Sequence, residues 1–494
     1  MIEKYAEQVM KFRWLIIIVS LLAILGAASG AKNLFFNNDY RIFFSPEDAH
    51  LQAFEKIQDT YTKNDNVLLV LAPDDEVVFK PTTLAAVEDI TERAWQTPYS
   101  TRVDSLSNYQ HSQSVDDDMS VADLYEEASN LSNEEAGALK DIVLGEPQLV
   151  HRLISEKAHV TAINITMEYP TEAANEQGEM VATDATKQFE ETVVYVRELK
   201  DYMQKTYPGH TVYMTGTVML NNAFGEASIY DMSHLLPLAI LLILVTVFLL
   251  LRSISGTFVT FVVVMVSTMT AFGLAGWMGI ELSSPVMSAP IIILTLAVAD
   301  CVHILSSWIS ELRAGNDKVS AMKESLRVNF MPVFLTSITT AIGFLSLNTS
   351  DAPPFGDLGN VAAMGVMAAF FFSILLLPAL TIVLPTKIKP KETKTSKSMA
   401  TLANWVIAKR KLLLIGMGSA AIVLIALVPK NELNDVFVYY FDERIEFRTD
   451  TDYIVKNLTG LYFVDYSIET ANSGDISDPK SLADIKKFTD WLDT

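Results

Sequence analysis

Residue 300 is an aspartate in the middle of an otherwise apolar run, Pro285 to Ile309, long enough to be a membrane-spanning helix. An ionised Asp at that depth costs about 2.5–3.5 kcal/mol even on a lenient insertion scale, so it is rarely kept without a partner or a task. The task a lone carboxyl can perform there is to take up and release a proton. The alternative is a structural carboxyl hydrogen-bonded between helices. His303 follows at i+3, a spacing that predicts a shared helical face on which the imidazole bonds Asp300 or titrates near neutral pH; at the cytoplasmic end of the helix it could equally be solvated. Cys301 reads as a small packing residue. A second run, Thr336-Ser337-Ile338-Thr339-Thr340-Ala341, is rich in hydroxyls and small residues, which serve close helix packing, and Thr339 and Thr340 are candidates to bridge the carboxyl. No Ser/His/Asp elbow, zinc-ligand spacing or glycine-rich phosphate loop stands out, so the sequence points to no enzyme, no metal and no cofactor.

Positioning such a carboxyl takes a helical bundle in a membrane, and the composition supplies one. Of 494 residues 50% are hydrophobic and 19% charged, with a mean hydropathy of +0.26, a balance that soluble chains seldom reach. Seven apolar stretches of spanning length lie near 14–31, 233–251, 257–279, 285–309, 330–348, 358–384 and 412–428. The first also has signal-peptide features, with Lys11 and Arg13 before the apolar core and Ala27-Ala28-Ser29-Gly30-Ala31 after it. The basic stretch 387–411, with Lys387, Lys389, Lys391, Lys394, Lys397, Lys409, Arg410 and Lys411, reads as cytoplasmic. Counting spans back from it places the N-terminus inside, residues 32–232 outside, and Arg252, Arg313, Lys318, Lys323 and Arg327 inside.

The formal charge of −22 is concentrated in the external insert, where residues 32–233 hold 14 Lys+Arg against 35 Asp+Glu. That acidity excludes nucleic acid as a partner, because phosphate binding needs clustered Lys and Arg. Cys301 is the one cysteine, so the external segment has no disulfide, which fits the periplasmic side of a bacterial inner (cytoplasmic) membrane better than a eukaryotic cell surface. Within the insert, a strand at 66–72, a helix at 82–96 and a strand at 101–106 are followed by a strand at 159–168, a helix at about 182–206 and a strand at 211–216. Two such strand-helix-strand units predict a ferredoxin-like α+β domain. Residues 119–157 between them read as helical and polar, with Ser132-Asn133-Glu134-Glu135 as a cap signal and Asp116-Asp117-Asp118 as a solvated face.

The start of this pattern recurs. Asn434-Asp435-Val436-Phe437 follows the span 412–428 as Asn38-Asp39-Tyr40-Arg41 follows 14–31, and Pro479-Lys480-Ser481-Leu482-Ala483 echoes Pro81-Thr82-Thr83-Leu84-Ala85. Two matches at nearly one offset indicate a duplication and a first span that is retained rather than cleaved. The second copy stops at Thr494, inside a strand-helix unit, so the chain is expected to be truncated, with two full copies needing roughly 790 residues and about twelve spans. The expected division is 1–31, cytoplasmic N-terminus and first span; 32–232, external domain; 233–384, a five-helix membrane unit; 385–411, basic cytoplasmic linker; 412–428, seventh span; and 429–494, the start of a second external domain.

Leu296-Ala297-Val298-Ala299-Asp300, the run Thr336 to Leu347 and the stretch Gly359 to Pro378 together resemble the resistance-nodulation-division (RND) superfamily, most of all its MMPL-like branch of hydrophobe and amphiphile exporters. The resemblance implies a porter domain after the first span and five spans like a sterol-sensing-domain unit. It also implies proton-driven export of membrane lipids or other amphiphiles. A fourth-span carboxylate takes part in a proton relay in that family, with tenth-span residues as partners, and Asp300 matches its position. Cys301 and Leu296 depart from the family pattern, which often has Tyr or an acid after the Asp and a small residue four before it. In the absence of a tenth span, His303 is the candidate partner, and the missing half would be supplied separately or by a homodimer or homotrimer. Two other roles use the same architecture: a lipid sensor without transport and an accessory to protein secretion.

Overall fold

The computed structural model describes residues 2–115, 118–174, 180–183, 185–386, 397–432, 436–460, 462–468 and 477–492. Contacts divide it into two compact units, Met1–Leu51 with Leu220–Ile445, and Gln52–Met219 with Glu446–Thr494. The division differs from the expected one at 32–232 and 429–494: both segments are split, and the second copy's helix joins the first α+β unit.

In the α+β unit, β1 (Asn66–Pro73), α1 (Pro81–Ala94), β2 (Ser100–Asp104), β3 (Thr161–Met167), α2 (Ala185–Thr206) and β4 (His210–Thr215) follow the expected succession. The sheet is antiparallel, in the order β2-β3-β1-β4, which is the ferredoxin-like arrangement. β1 and β3 are central and pair Leu69 with Ile163. Both are buried along nearly their whole length; β1 is apolar from Val67 to Ala72, whereas β3 carries Thr161, Asn164 and Thr166 among its apolar residues. β4 ends at Gly216, whose φ of +116° and close approach to the Asn66 carbonyl leave no room for a Cβ. The polar insert is only partly helical. Asn133–Leu144 is a helix opened by the Ser132/Glu135 capping box, but Gln110–Val115 and Asp118–Asp123 form an antiparallel hairpin that pairs Ser112 with Val121. Asp116 and Asp117 lie outside the described residues.

A further helix, α3 (Glu446–Asn457), lies along β4, the edge of this sheet. Asp450 Oδ2 accepts the edge amide of Met214 at 2.9 Å, Thr451 bonds Thr215 at 2.7 Å, and Tyr453 stacks on Tyr213 with centroids 3.7 Å apart. An edge strand is thereby capped rather than left as a template for pairing. The second copy repeats the first in outline: a 3₁₀ turn at Phe437–Tyr440 matches Tyr40–Phe43, α3 matches Ala49–Thr60, and Pro479–Leu492 matches α1. Tyr462–Ile468, the counterpart of β1, is not a strand and pairs with none among the described residues; ladder bonds need a neighbour. Asn434 and Asp435 lie outside the described residues.

Among the described residues, seven helices are long and apolar enough to cross a membrane: Arg13–Asn33, Thr217–Leu251, Ile254–Met278, Val286–Arg313, Lys318–Thr349, Pro353–Val383 and Met399–Lys430. They are the seven expected spans, and the second, fifth and seventh are longer than hydropathy suggested. The fifth starts at Lys318, where the Asp317 side chain caps the amides of Val319 and Ser320, and its first turns are amphipathic rather than apolar. The basic stretch 385–411 is partly helix: Lys397–Leu427 is continuous, with no Gly or Pro before Leu412 to stop it, so Lys409, Arg410 and Lys411 belong to the seventh helix. Lys387, Lys389, Lys391 and Lys394 lie outside the described residues. Glycines let the spans approach closely. A Cβ on Gly273 would overlap the Ala27 carbonyl of the first span, and one on Gly359 the Phe344 carbonyl of the fifth.

Candidate functional site

The fourth span, as the helix Ala289–Arg313, buries Ile293, Ala297, Asp300, Cys301, Ile304 and Trp308, a stripe at i+3 and i+4. Asp300 stands at one border of that stripe and is 7% exposed. His303 is exposed, and its ring makes no hydrogen bond to Asp300 among the described residues. The reason is angular. Three residues on is about 60° back around a helix of 3.6 residues per turn, and from the border of a stripe that step leads out of the bundle. Shared-face spacing was therefore not enough to join the two.

The hydroxyl that meets the carboxyl comes from the fifth span. Ser325, Asn329, Val333, Ser337 and Ala341, spaced by four, form its buried row. Ser337 Oγ lies 3.3 Å from Asp300 Oδ2 and 2.8 Å from the Val333 carbonyl oxygen. Thr339 is exposed and donates instead to its own helix, to Leu335 O at 2.7 Å and Thr336 O at 3.1 Å. Thr340 is half-buried and has no hydrogen bond to Asp300 among the described residues. Ser337 was part of the hydroxyl-rich run but was not singled out, and the four-residue spacing of small and polar residues from Ser325 to Ala341 was the signal that could have found it.

Further along the same seam, Asn329 Nδ2 donates to Ser307 Oγ at 2.8 Å and Ser325 Oγ donates to the Ile304 carbonyl at 2.6 Å. Cys301, fully buried, meets Ser373 Oγ of the sixth span at 3.7 Å, a packing contact as its size suggested. Among the described residues no Lys or Arg pairs with Asp300, and no group of three or more His, Cys, Asp or Glu could hold a metal.

The arrangement can serve a carboxyl in either state. Ser337 has one proton and two acceptors. If Asp300 is ionised, the hydroxyl can turn to it; if Asp300 is protonated, the hydroxyl keeps its bond to Val333 and accepts from the carboxyl.

Residues 47–424, most of the chain, match the model of the MMPL family. A Methanocaldococcus jannaschii protein named Putative membrane protein is 25% identical over 183 residues, 37% of this chain and 47% of that relative. The match spans about half of the relative's length.

Proposed function

The chain belongs to the MMPL family, and on that premise we propose that it works in a proton-driven RND-type exporter that moves lipids or other amphiphiles out of a bacterial inner membrane. The observation that carries the reading is Asp300, a carboxyl inside a span with no cation beside it among the described residues and a hydroxyl that can bond it protonated or ionised. A protonated Asp300 needs nothing more from its surroundings. An ionised one draws on the Ser337 hydroxyl that otherwise bonds Val333, and a shift of the fourth, fifth and sixth spans that brought a further partner or water would favour that state. One proton crossing ~150 mV releases about 3.5 kcal/mol, by the rule of ~2.3 kcal/mol per 100 mV, enough to bias a two-state rearrangement several-hundredfold. In this reading the α+β unit lies in the periplasm and its rearrangement moves the amphiphile, with the rest of the machine contributed by a second half or by further copies of the chain.

The test compares wild type with Asp300→Asn at equal membrane abundance, in the complete transporter, following pH-gradient-driven export of a fluorescent phospholipid analogue. Export is expected to vanish while the fold persists, because the amide keeps the shape and the Ser337 contact but holds no exchangeable charge. Unchanged export by the Asn variant would remove Asp300 from the mechanism.

A further inference from the structure

The N-terminal helix Ile2–Lys11 leads through Phe12 into the first span, with Phe12 N donating to Gln8 O and Ile16 N to Phe12 O, each at 2.9 Å, and it packs against the neighbouring spans. Ile2, Tyr5, Ala6, Val9 and Met10 recur at helical spacing, and Ala6, Val9 and Met10 are buried in the cluster that contains Trp308, Leu326 and Leu377. Glu7 pairs with Lys323 of the fifth span at 3.0 Å on the rim. Tyr5 goes deeper. Its ring stands edge-on to Phe330 of the fifth span, centroids 5.5 Å apart, and its hydroxyl donates to the carbonyl of Ile374 at 2.9 Å.

That carbonyl is free for a reason written in the sequence. Residue 378 is a proline, which has no N–H to return to the carbonyl four residues earlier, so Ile374 loses its helical donor. The sixth span is broken there: one helix runs Pro353–Ile374, the next Leu376–Val383, and Leu375 lies between them. A buried carbonyl without a donor is costly, and Tyr5 supplies one from outside the span. Burial pushes the Tyr5 phenol well above the ordinary tyrosine range, so it remains a donor at any working pH.

The break also borders the carboxyl. Ser373, one residue before Ile374, meets Cys301, the neighbour of Asp300. Tyr5 packs on the cluster of Val333, Phe370 and Ile374, and Val333 is the residue whose carbonyl shares the Ser337 proton with Asp300. One tyrosine thus touches both elements that meet the fourth span around residues 300 and 301. We propose that Tyr5 is a positioning residue of the Asp300 site, the N-terminal helix acting as a latch that holds the proline break of the sixth span closed against the fourth and fifth. The inference rests on the reading of Asp300 as the proton carrier.

The chain carries its own reporter, because Cys301 is its one cysteine and is buried beside the carboxyl. In the purified full chain, Tyr5→Phe should raise the rate of Cys301 alkylation by N-ethylmaleimide about fivefold, the ratio equivalent to one hydrogen bond of ~1 kcal/mol. Pro378→Ala restores an internal donor to Ile374, so adding Tyr5→Phe to that background should leave the rate unchanged. Equal rates for wild type and Tyr5→Phe, or an undiminished effect of Tyr5→Phe beside Pro378→Ala, would overturn the latch. Positioning is read separately from stability. The infrared band of the protonated Asp300 carboxyl, identified by its loss in Asp300→Asn, should shift its titration midpoint in Tyr5→Phe and not in the double variant relative to Pro378→Ala. A lowered melting temperature with an unmoved midpoint overturns the positioning role. If Asp300→Asn removes no titrating band, the proton-carrier reading fails instead, and the alkylation rates still decide whether the latch exists.

Discussion

Asp300 in the membrane helices and Asp450 in the α+β unit are buried to the same 7% exposure, yet their surroundings are opposites. Asp450 accepts from the Lys200 ammonium at 2.6 Å and from the Met214 amide at 2.9 Å, and Glu446 shares the same lysine at 2.7 Å. Desolvation alone would lower the Lys200 pKa, but its hydrogen bonds to Asp450 and Glu446 outweigh that and hold it above the ordinary lysine range. Asp300 has one serine hydroxyl at 3.3 Å, and that hydroxyl has a nearer acceptor. Burial raises the Asp450 carboxyl above its ordinary value, and Lys200 and the Met214 amide pull it part of the way back, whereas Asp300 has a single shared hydroxyl; the difference is between a carboxyl held by fixed donors and one that is not.

Removing the cation should have the largest effect on stability. Lys200→Met leaves Asp450 buried without its counter-charge and should destabilise the α+β unit by about 3–5 kcal/mol in denaturant unfolding, with much of the loss recovered by Lys200→Met with Asp450→Leu. Gly359→Val, which sets a Cβ against the Phe344 carbonyl, should cost about 1–3 kcal/mol of thermal stability and loosen the spans around Asp300. If it instead leaves melting unchanged, the bundle is slacker than its packing indicates. The same Asp→Asn change sharpens the contrast further: at Asp450 it should cost about 2–4 kcal/mol, at Asp300 less than about 1 kcal/mol. Equal costs at both positions would erase the distinction. Ser337→Ala should cost about 0.5–1.5 kcal/mol, and in the complete transporter it should shift the pH profile of export rather than abolish export.

The smallest effect concerns His210, whose Nε2 meets Thr83 at 2.9 Å and whose pKa desolvation lowers from 6.5. A depressed pKa means that its contribution is complete above about pH 6.5 and is lost as the pH falls below that value. The melting temperature of wild type should therefore decline slightly more than that of His210→Gln between about pH 7 and pH 5. Parallel declines would show that the ring does not titrate in the fold.

Much of the molecule was legible in one dimension. Seven spans followed from apolar length, and the two strand-helix-strand units from period and turn residues, because bilayer thickness and backbone geometry act on local sequence. Asp300 was legible for the same reason, since a charge among apolar residues needs no partner to be noticed. Its neighbours were not. His303 was three residues away and faced outward, whereas Ser337 was 37 positions away and faced inward, because the border of a buried stripe is set by which helices pack there.

The sequence by itself determined the membrane class, the α+β insert and the placing of a lone carboxyl within an apolar helix, all of which depend on residues close together in the chain. Tertiary structure alone decided which hydroxyl meets Asp300, that α3 from the second copy caps the edge of the first sheet, and that Tyr5 reaches the carbonyl freed by Pro378. Each of these joins segments distant in sequence. A hydrogen-bonding group left unpaired by local geometry accepts whatever partner the packing delivers, so its need is written in the sequence and the partner's identity is not.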